Sequence, residues 1–256
     1  MSFADDAVLG TLILADMVQA RESVVLCGRI GGVLGPLRES CRKYRLRLAV
    51  EHNRYPSAHP TLIADRLGRR GLASGRNPVE AGLLIVEPWT AIVIGRWFTL
   101  RRFDLARPVF FAFPAAAEPL TVRYAMPGQS LPELDPARFR HAADILIGDP
   151  MTGRRITADA PLPPDSQLVT CLPPTHPPPV QPCINCGWCV EVCPTGLDPV
   201  RMMRAAGHGL SDRWLARELP WCVECGLCSY VCPSALPVTQ VLIAAKLMGR
   251  SADGSR

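Results

Sequence analysis

Two copies of one cysteine pattern constrain this chain more than anything else in it. CINCGWCVEVCP runs from Cys183 to Pro194, and CVECGLCSYVCP from Cys222 to Pro233. Eight of the eleven cysteines fall in these two strings. Each reads C-x2-C-x2-C-x3-C-P. Three thiolates so spaced on one tight loop reach three corners of a cubane iron-sulfur cluster, and the fourth corner is capped from the other string. The spacing therefore predicts two [4Fe-4S] clusters. One is expected on Cys183, Cys186, Cys189 and Cys232, the other on Cys222, Cys225, Cys228 and Cys193.

Other uses of eight thiols fit less well. Disulfides belong to oxidising compartments, and the first twenty residues, MSFADDAVLGTLILADMVQA, carry three acidic residues and no basic n-region, so no secretory signal is visible. A cytoplasmic location is expected. Structural zinc sites are built from separated C-x2-C pairs, and the third cysteine of each string has no role there.

A chain of 256 residues with an ordinary share of apolar residues has room for two or three small domains with a real core. Its most apolar stretch, Ala81 to Trp97, is interrupted by Glu87 and Pro88 and falls short of the roughly 20 uninterrupted residues a bilayer needs. It is expected to form a buried strand, a turn, and a second strand or short helix, with no direct membrane span. The net charge of +5 is mild, and every basic residue except Lys43 and Lys246 is arginine, scattered singly and in pairs. A basic stripe with interleaved aromatics is absent, so no nucleic-acid partner is expected.

Three blocks follow. In residues 1–100, helical periodicity over Leu9 to Val18, Gly35 to Tyr44 and Pro60 to Leu67 alternates with apolar strands at Val24 to Cys27, Leu46 to Val50 and Leu83 to Val86. That alternation predicts an α/β layer with a parallel sheet. Residues 101–170 change character, with strands at Val109 to Phe113, Leu120 to Tyr124 and Ile145 to Ile147, a short helical segment over Leu131 to Arg140, and the turn GDPMTG. This is a small α+β unit. Residues 171–182 hold LPPTHPPP, which proline makes a stiff linker. In residues 183–250, helices over Pro199 to Ala206, Ser211 to Leu219 (with Ser211 as N-cap) and Val238 to Met248 predict a helical ferredoxin-type module around the clusters.

The remaining tempting residues have plain explanations. Cys27, Cys41 and Cys171 stand alone and are expected to be small buried hydrophobes. His52, His59, His141, His176 and His208 have no paired spacing, so no histidine metal site is expected. Trp188 and Trp221, inside and beside the cluster loops, are expected to shield the clusters from water. CGRIGGVLG, Cys27 to Gly35, follows a strand and precedes a helix as a phosphate cradle would, but it is not G-x-G-x-x-G, and a tight strand-to-helix turn explains its glycines equally well.

The cluster region resembles the C subunit of the Rnf-type membrane electron-transport complexes. The likeness is close from Cys183 to about Gln240, including CVECGLCSYVCPS followed by Leu236, Pro237, Val238 and Gln240. Upstream, Tyr55-Pro56 with Leu62-Ile63, and NPVEAGLLIV from Asn77 to Val86, are similar to the end of that family's nucleotide-binding domain. Arg107 to Thr121 and Gly148 to Gly153 are similar to its β-grasp region. The resemblance implies a partial nucleotide-binding-like α/β domain, a β-grasp-like domain and a helical dicluster ferredoxin domain. Family members carry, before the matched region, a glycine-rich stretch that binds flavin and NADH. This chain is expected to be a shortened form without it, and His59 and Pro60 replace the family's acidic residue after Tyr-Pro.

Together these features predict an iron-sulfur electron-transfer subunit with two [4Fe-4S] clusters. No independent catalytic site is expected, and neither is bound flavin or NAD(P)H. Its partners would be redox subunits, a flavoprotein, an integral membrane protein or both, which would make it peripheral on the cytoplasmic membrane. Two alternatives stay open: a self-sufficient oxidoreductase in which the first block binds flavin or NAD(P)H and feeds the clusters, and a scaffold subunit that uses clusters only for stability.

Overall fold

The structure is a computed structural model that describes residues 2–67, 78–114, 116–139, 144–174, 178–208 and 213–253. The loop of residues 68–77 with Asn77, the residues His141 and His176, and the expected N-cap Ser211 lie outside them.

The first block opens with helix α1 (Phe3–Met17), which starts six residues before the periodic run because Ser2 caps it. The Ser2 hydroxyl accepts from the Asp5 amide at 3.2 Å, and Asp5 and Asp6 place negative charge in the first turn, where the helix dipole favours it. Strand β1 (Val24–Gly28), helix α2 (Leu34–Lys43), strand β2 (Arg47–Glu51) and helix α3 (Pro60–Arg66) follow. β1 and β2 pair in parallel, as a strand–helix–strand crossover requires.

The expected third strand, Leu83 to Val86, does not form. Gly82 closes a 3-10 turn (Pro78–Ala81) with a left-handed φ of 73°, and Pro88 begins helix α4 (Pro88–Leu100). The extended residues between them pair with no strand, and Leu84 is 54% exposed. A short apolar run reads as strand or as helix approach with equal ease, and the proline at the first helical position decides it. α4 crosses α1 at backbone contact: a Cβ on Gly10 would lie 1.8 Å from the Ala91 carbonyl oxygen, and one on Gly95 would lie 2.1 Å from that of Asp6. Arg96 on α4 also reaches the buried Asp6 carboxylate at 2.9 Å.

The second block is a five-stranded sheet of β3 (Arg107–Ala112), β4 (Leu120–Ala125), β5 (Asp144–Ile147), β6 (Arg154–Ile156) and β7 (Leu168–Leu172). The spatial order is β4-β3-β7-β5-β6, with β3 and β7 parallel and the other pairs antiparallel. Two short helices, α5 (Leu131–Leu134) and α6 (Pro136–Phe139), cover one face. Val109, Phe111, Ile145 and Val169 alternate inward and meet Leu131 and Phe139, with Phe111 and Phe139 edge to face at 5.5 Å. β7, the central strand, continues to Leu172, two residues into the stretch expected to be linker.

The third block holds helices α7 (Trp188–Glu191), α8 (Pro199–Gly207), α9 (Arg213–Glu218), a 3-10 turn (Leu219–Trp221), α10 (Leu227–Tyr230) and α11 (Val238–Asp253). Asp198 caps α8 by accepting from the Arg201 amide at 3.0 Å, and Pro199 takes its first position. Leu197, Met202, Leu215, Val238 and Leu242 form its core. Among the described residues, no helix is long and apolar enough to cross a membrane.

Candidate metal centre

The two cysteine strings fold alike, with equivalent residues thirty-nine positions apart, as Cys183 and Cys222 are. Three thiols can face one point only if the loop turns back on itself, and both loops use the same left-handed residues to do so. Asn185 and Glu224 have φ of 54° and 56°, Gly187 and Gly226 have φ of 83°, and Gly196 and Ala235 have φ of 69° and 52°. A one-turn helix follows each glycine, α7 in one string and α10 in the other. Pro194 and Pro233 lie just beyond the last cysteine of each string, where a helix could not continue.

Cys222, Cys225 and Cys228 line one cavity, and the fourth cysteine on its wall is Cys193, from the other string. Leu197, Val223, Leu227 and Leu242 supply apolar wall. The empty space, open mouth included, is about 360 Å³. Polar groups face the sulfurs: the Leu197 amide donates to Cys193 Sγ at 3.4 Å, and Thr239 Oγ1 shares a hydrogen bond with Cys228 Sγ at 3.2 Å. Burial pushes the Cys222, Cys225 and Cys228 thiols up, and the nearby Cys193 sulfur pushes the last two further. Buried thiols that resist ionising in one another's company are stabilised as thiolates by a soft metal.

The first loop is more open. The Gln181 amide donates to the Ser234 carbonyl at 2.9 Å, and Ser234 Oγ donates to the Pro182 carbonyl at 2.9 Å, so the residues flanking Cys183 and Cys232 are tied together. The Asn185 amide lies 3.4 Å from Cys183 Sγ. Burial pushes the Cys189 thiol up, whereas Cys186 is exposed. Trp188 is 52% and Trp221 40% exposed, so both rings face water more than the expected shielding role would have them.

Among the described residues, no three ligating side chains converge on a single ion. A cubane holds thiolates apart at its corners, and the donor set here, all sulfur with amide and hydroxyl groups aimed at it, suits an iron-sulfur cluster.

All three blocks touch the second loop. Tyr55 Oη donates to the Cys225 carbonyl at 2.6 Å, and Met151 packs so closely that a Cβ on Gly226 would lie 2.9 Å from its own Cβ. Lys246 Nζ on α11 donates to the Cys222 carbonyl at 2.5 Å and pairs with Glu224 at 2.8 Å. Sequence patterns gave none of these three residues a role. Tyr55 belongs to a stretch singled out only by resemblance, Met151 to the turn GDPMTG, and nothing in the sequence sets residue 246 beside residue 222.

Cys41 and Cys171 stay apart from the loops, whereas His59 feels the charges of Glu224 and Lys246 beside the second loop. Cys41 is buried with Val8, Leu37 and Leu46, and Cys171 sits in the sheet core, its thiol pushed up to about 11 by burial. His59 caps α3 by accepting from the Thr61 amide at 3.3 Å, and burial pushes its pKa down. In Cys27 to Gly35, Gly32 takes a left-handed φ of 80° that favours glycine, and a Cβ on Gly28 would displace the Asn53 side chain.

The 4Fe-4S dicluster domain family matches residues 182–237, the span of both loops. The chain is 28% identical over 175 residues to the C subunit of the Na(+)-translocating ferredoxin:NAD(+) oxidoreductase complex of Acetobacterium woodii. That match covers 66% of this chain and 39% of the relative. It is 26% identical over 209 residues to the C subunit of the ion-translocating oxidoreductase complex of Yersinia enterocolitica, covering 78% of this chain and 30% of the relative. The chain therefore spans well under half the length of the curated relatives it matches.

Proposed function

We propose that this chain is an iron-sulfur electron-transfer subunit that relays single electrons through two [4Fe-4S] clusters within an Rnf-type redox complex. The observation that carries the proposal is Cys193 on the wall of the cavity lined by Cys222, Cys225 and Cys228. Crossed ligation needs that exchange, and no other arrangement of the two strings calls for it. Cys183, Cys186, Cys189 and Cys232 would hold the first cluster, and the residues around that cavity the second. A bound cluster supplies reversible one-electron chemistry. The chain's own part is to hold eight thiolates, aim amides and hydroxyls at the sulfurs, and exclude water from one site more than from the other.

The mixed sheet, with β3 and β7 parallel at its centre, supports a β-grasp-like second domain over residues 101–170. The parallel pair β1 and β2 supports a nucleotide-binding-like remnant over 1–100, joined by the 171–182 linker to the cluster domain of 183–250. Redox subunits, one of them a flavoprotein or an integral membrane protein, would be the partners, and the chain would sit peripherally on the cytoplasmic face of the membrane. Both relatives are named as members of multi-subunit complexes, and this supports that placing.

Anaerobic purification with iron, sulfide and flavin analysis, followed by electron paramagnetic resonance, tests the proposal. About eight iron and eight sulfide per chain are expected. Cys193→Ala should remove the signal of the cluster on Cys222, Cys225 and Cys228 and spare the other. Loss of the Cys183-loop signal instead would refute the crossed assignment. Prompt bleaching by dithionite but none by NADH alone fits a relay. Rapid bleaching by NADH without an added flavoprotein would favour a self-sufficient oxidoreductase.

A further inference from the structure

Lys246 is one of two lysines in a chain whose other 26 basic residues are arginine. Its ammonium lies 2.5 Å from the carbonyl oxygen of Cys222 and 2.8 Å from the Glu224 carboxylate. The lysine side chain is 13% exposed and that of Glu224 is 38%. A compact ammonium on a flexible stem can reach into the back of a cysteine loop, where a planar guanidinium would need room for its fork. We propose that Lys246 is the positioning residue of the second cluster, holding the Cys222–Cys228 loop by its backbone and raising the reduction potential of the cluster bound there. This rests on the dicluster reading of the two loops.

Reduction of a cluster adds one electron from an external donor, and no bond forms or breaks. The added negative charge is favoured by a fixed positive charge nearby, most of all where water is scarce. Glu224 opposes the effect, but it stands further into solvent, which screens it.

Among the described residues, no lysine–carboxylate pair equivalent to this one holds the first loop. The residue matching Glu224 is the neutral Asn185, and the residue matching Lys246 is Gly207. The basic group that reaches Asn185 is Arg204, at 3.0 Å and exposed. The charge of Lys246 therefore acts on one cluster and distinguishes it from its near-twin.

The test is an anaerobic redox titration of the full chain, followed by electron paramagnetic resonance, on wild type, Lys246→Met, Lys246→Arg and Glu224→Gln, with iron counted in each. Lys246→Met should make one centre roughly tenfold harder to reduce at a given potential, a fall of about 59 mV for a one-electron couple, and leave the other unmoved. Lys246→Arg, which keeps the charge but must find room for its fork, should lie between wild type and Lys246→Met. Glu224→Gln should move the same centre the opposite way. Two intact clusters with unchanged potentials in Lys246→Met would overturn the proposal and leave the dicluster reading standing. So would shifts of the same sign in Lys246→Met and Glu224→Gln, which would point to loop distortion. If Lys246→Met loses the cluster, an unmoved potential in Glu224→Gln overturns the proposal by itself. A wild-type protein with no iron would remove the dicluster reading, and this proposal with it.

Discussion

Gly187 and Gly226 occupy equivalent places in the two loops and share a φ of 83°, yet they differ in what surrounds them. A Cβ on Gly187 would meet nothing within 4 Å, whereas one on Gly226 would lie 2.9 Å from Met151 Cβ and 3.0 Å from the Met151 carbonyl oxygen. Gly187→Ala therefore isolates the conformational term, about 1–2 kcal/mol for an L-residue held left-handed. Gly226→Ala carries the same term plus overpacking against a backbone, another 1–3 kcal/mol or so. In a chain of this size, each kcal/mol moves a melting midpoint by about 2–4 °C. Anaerobic melts followed by visible absorbance of the clusters should thus show the Gly226 variant lower than the Gly187 variant by roughly 2–12 °C. Gly226→Ala combined with Met151→Gly, which removes the clashing Cβ, should recover part of the gap. Equal midpoints for the two single variants would mean that Met151 moves aside freely, and that the sheet does not brace the loop.

Gly10→Ala and Gly95→Ala should each destabilise the first block by about 3 kcal/mol or more, because each added carbon meets a carbonyl oxygen of the facing helix. Hydrogen exchange in α1 and α4 would report it while the cluster signals stay unchanged. Ala235, held at a φ of 52° where its counterpart is Gly196, should gain about 0.5–1 kcal/mol on change to glycine, read as a higher melting midpoint. The Ser40 hydroxyl, and with it Lys43, holds the Asp5 carboxyl below its ordinary value. A depressed carboxyl stabilises the fold above its unfolded pKa and loses that contribution as pH falls through the folded value. Asp5→Asn should weaken exchange protection in α1 and α2 at pH 7, and the difference from wild type should shrink as pH falls below the ordinary carboxyl value of about 3.9 and through the lower folded one.

The cysteine strings stand out in the sequence because the motif is local: three of the four cysteines proposed for each cluster lie within seven residues, and no distant partner is needed to see them. Helices α2, α3 and α8 were legible for a similar reason, since their apolar period and their prolines or caps lie within the element itself. Two strands show where locality ends. Leu83 to Val86 has a strand's composition but no pairing partner. Leu168 to Leu172, set among prolines at the edge of an apparent linker, becomes the central strand because β3 and β5 take up both its edges. Lys246 was illegible on the same ground: its meaning appears only once α11 docks and brings it against residues 222 and 224.

The hydroxyl of Tyr55 reaches across 170 residues of sequence to the Cys225 carbonyl, and Met151 rests on the glycine beside it. The smallest block is therefore also the keystone of the chain. A loop that changed shape on losing its iron would withdraw a hydrogen bond from one upstream block and a packing surface from the other in the same event. Under the two-cluster proposal, oxygen damage at the second loop would register well beyond the loop itself, as a loosening of the joint it makes with the upstream blocks.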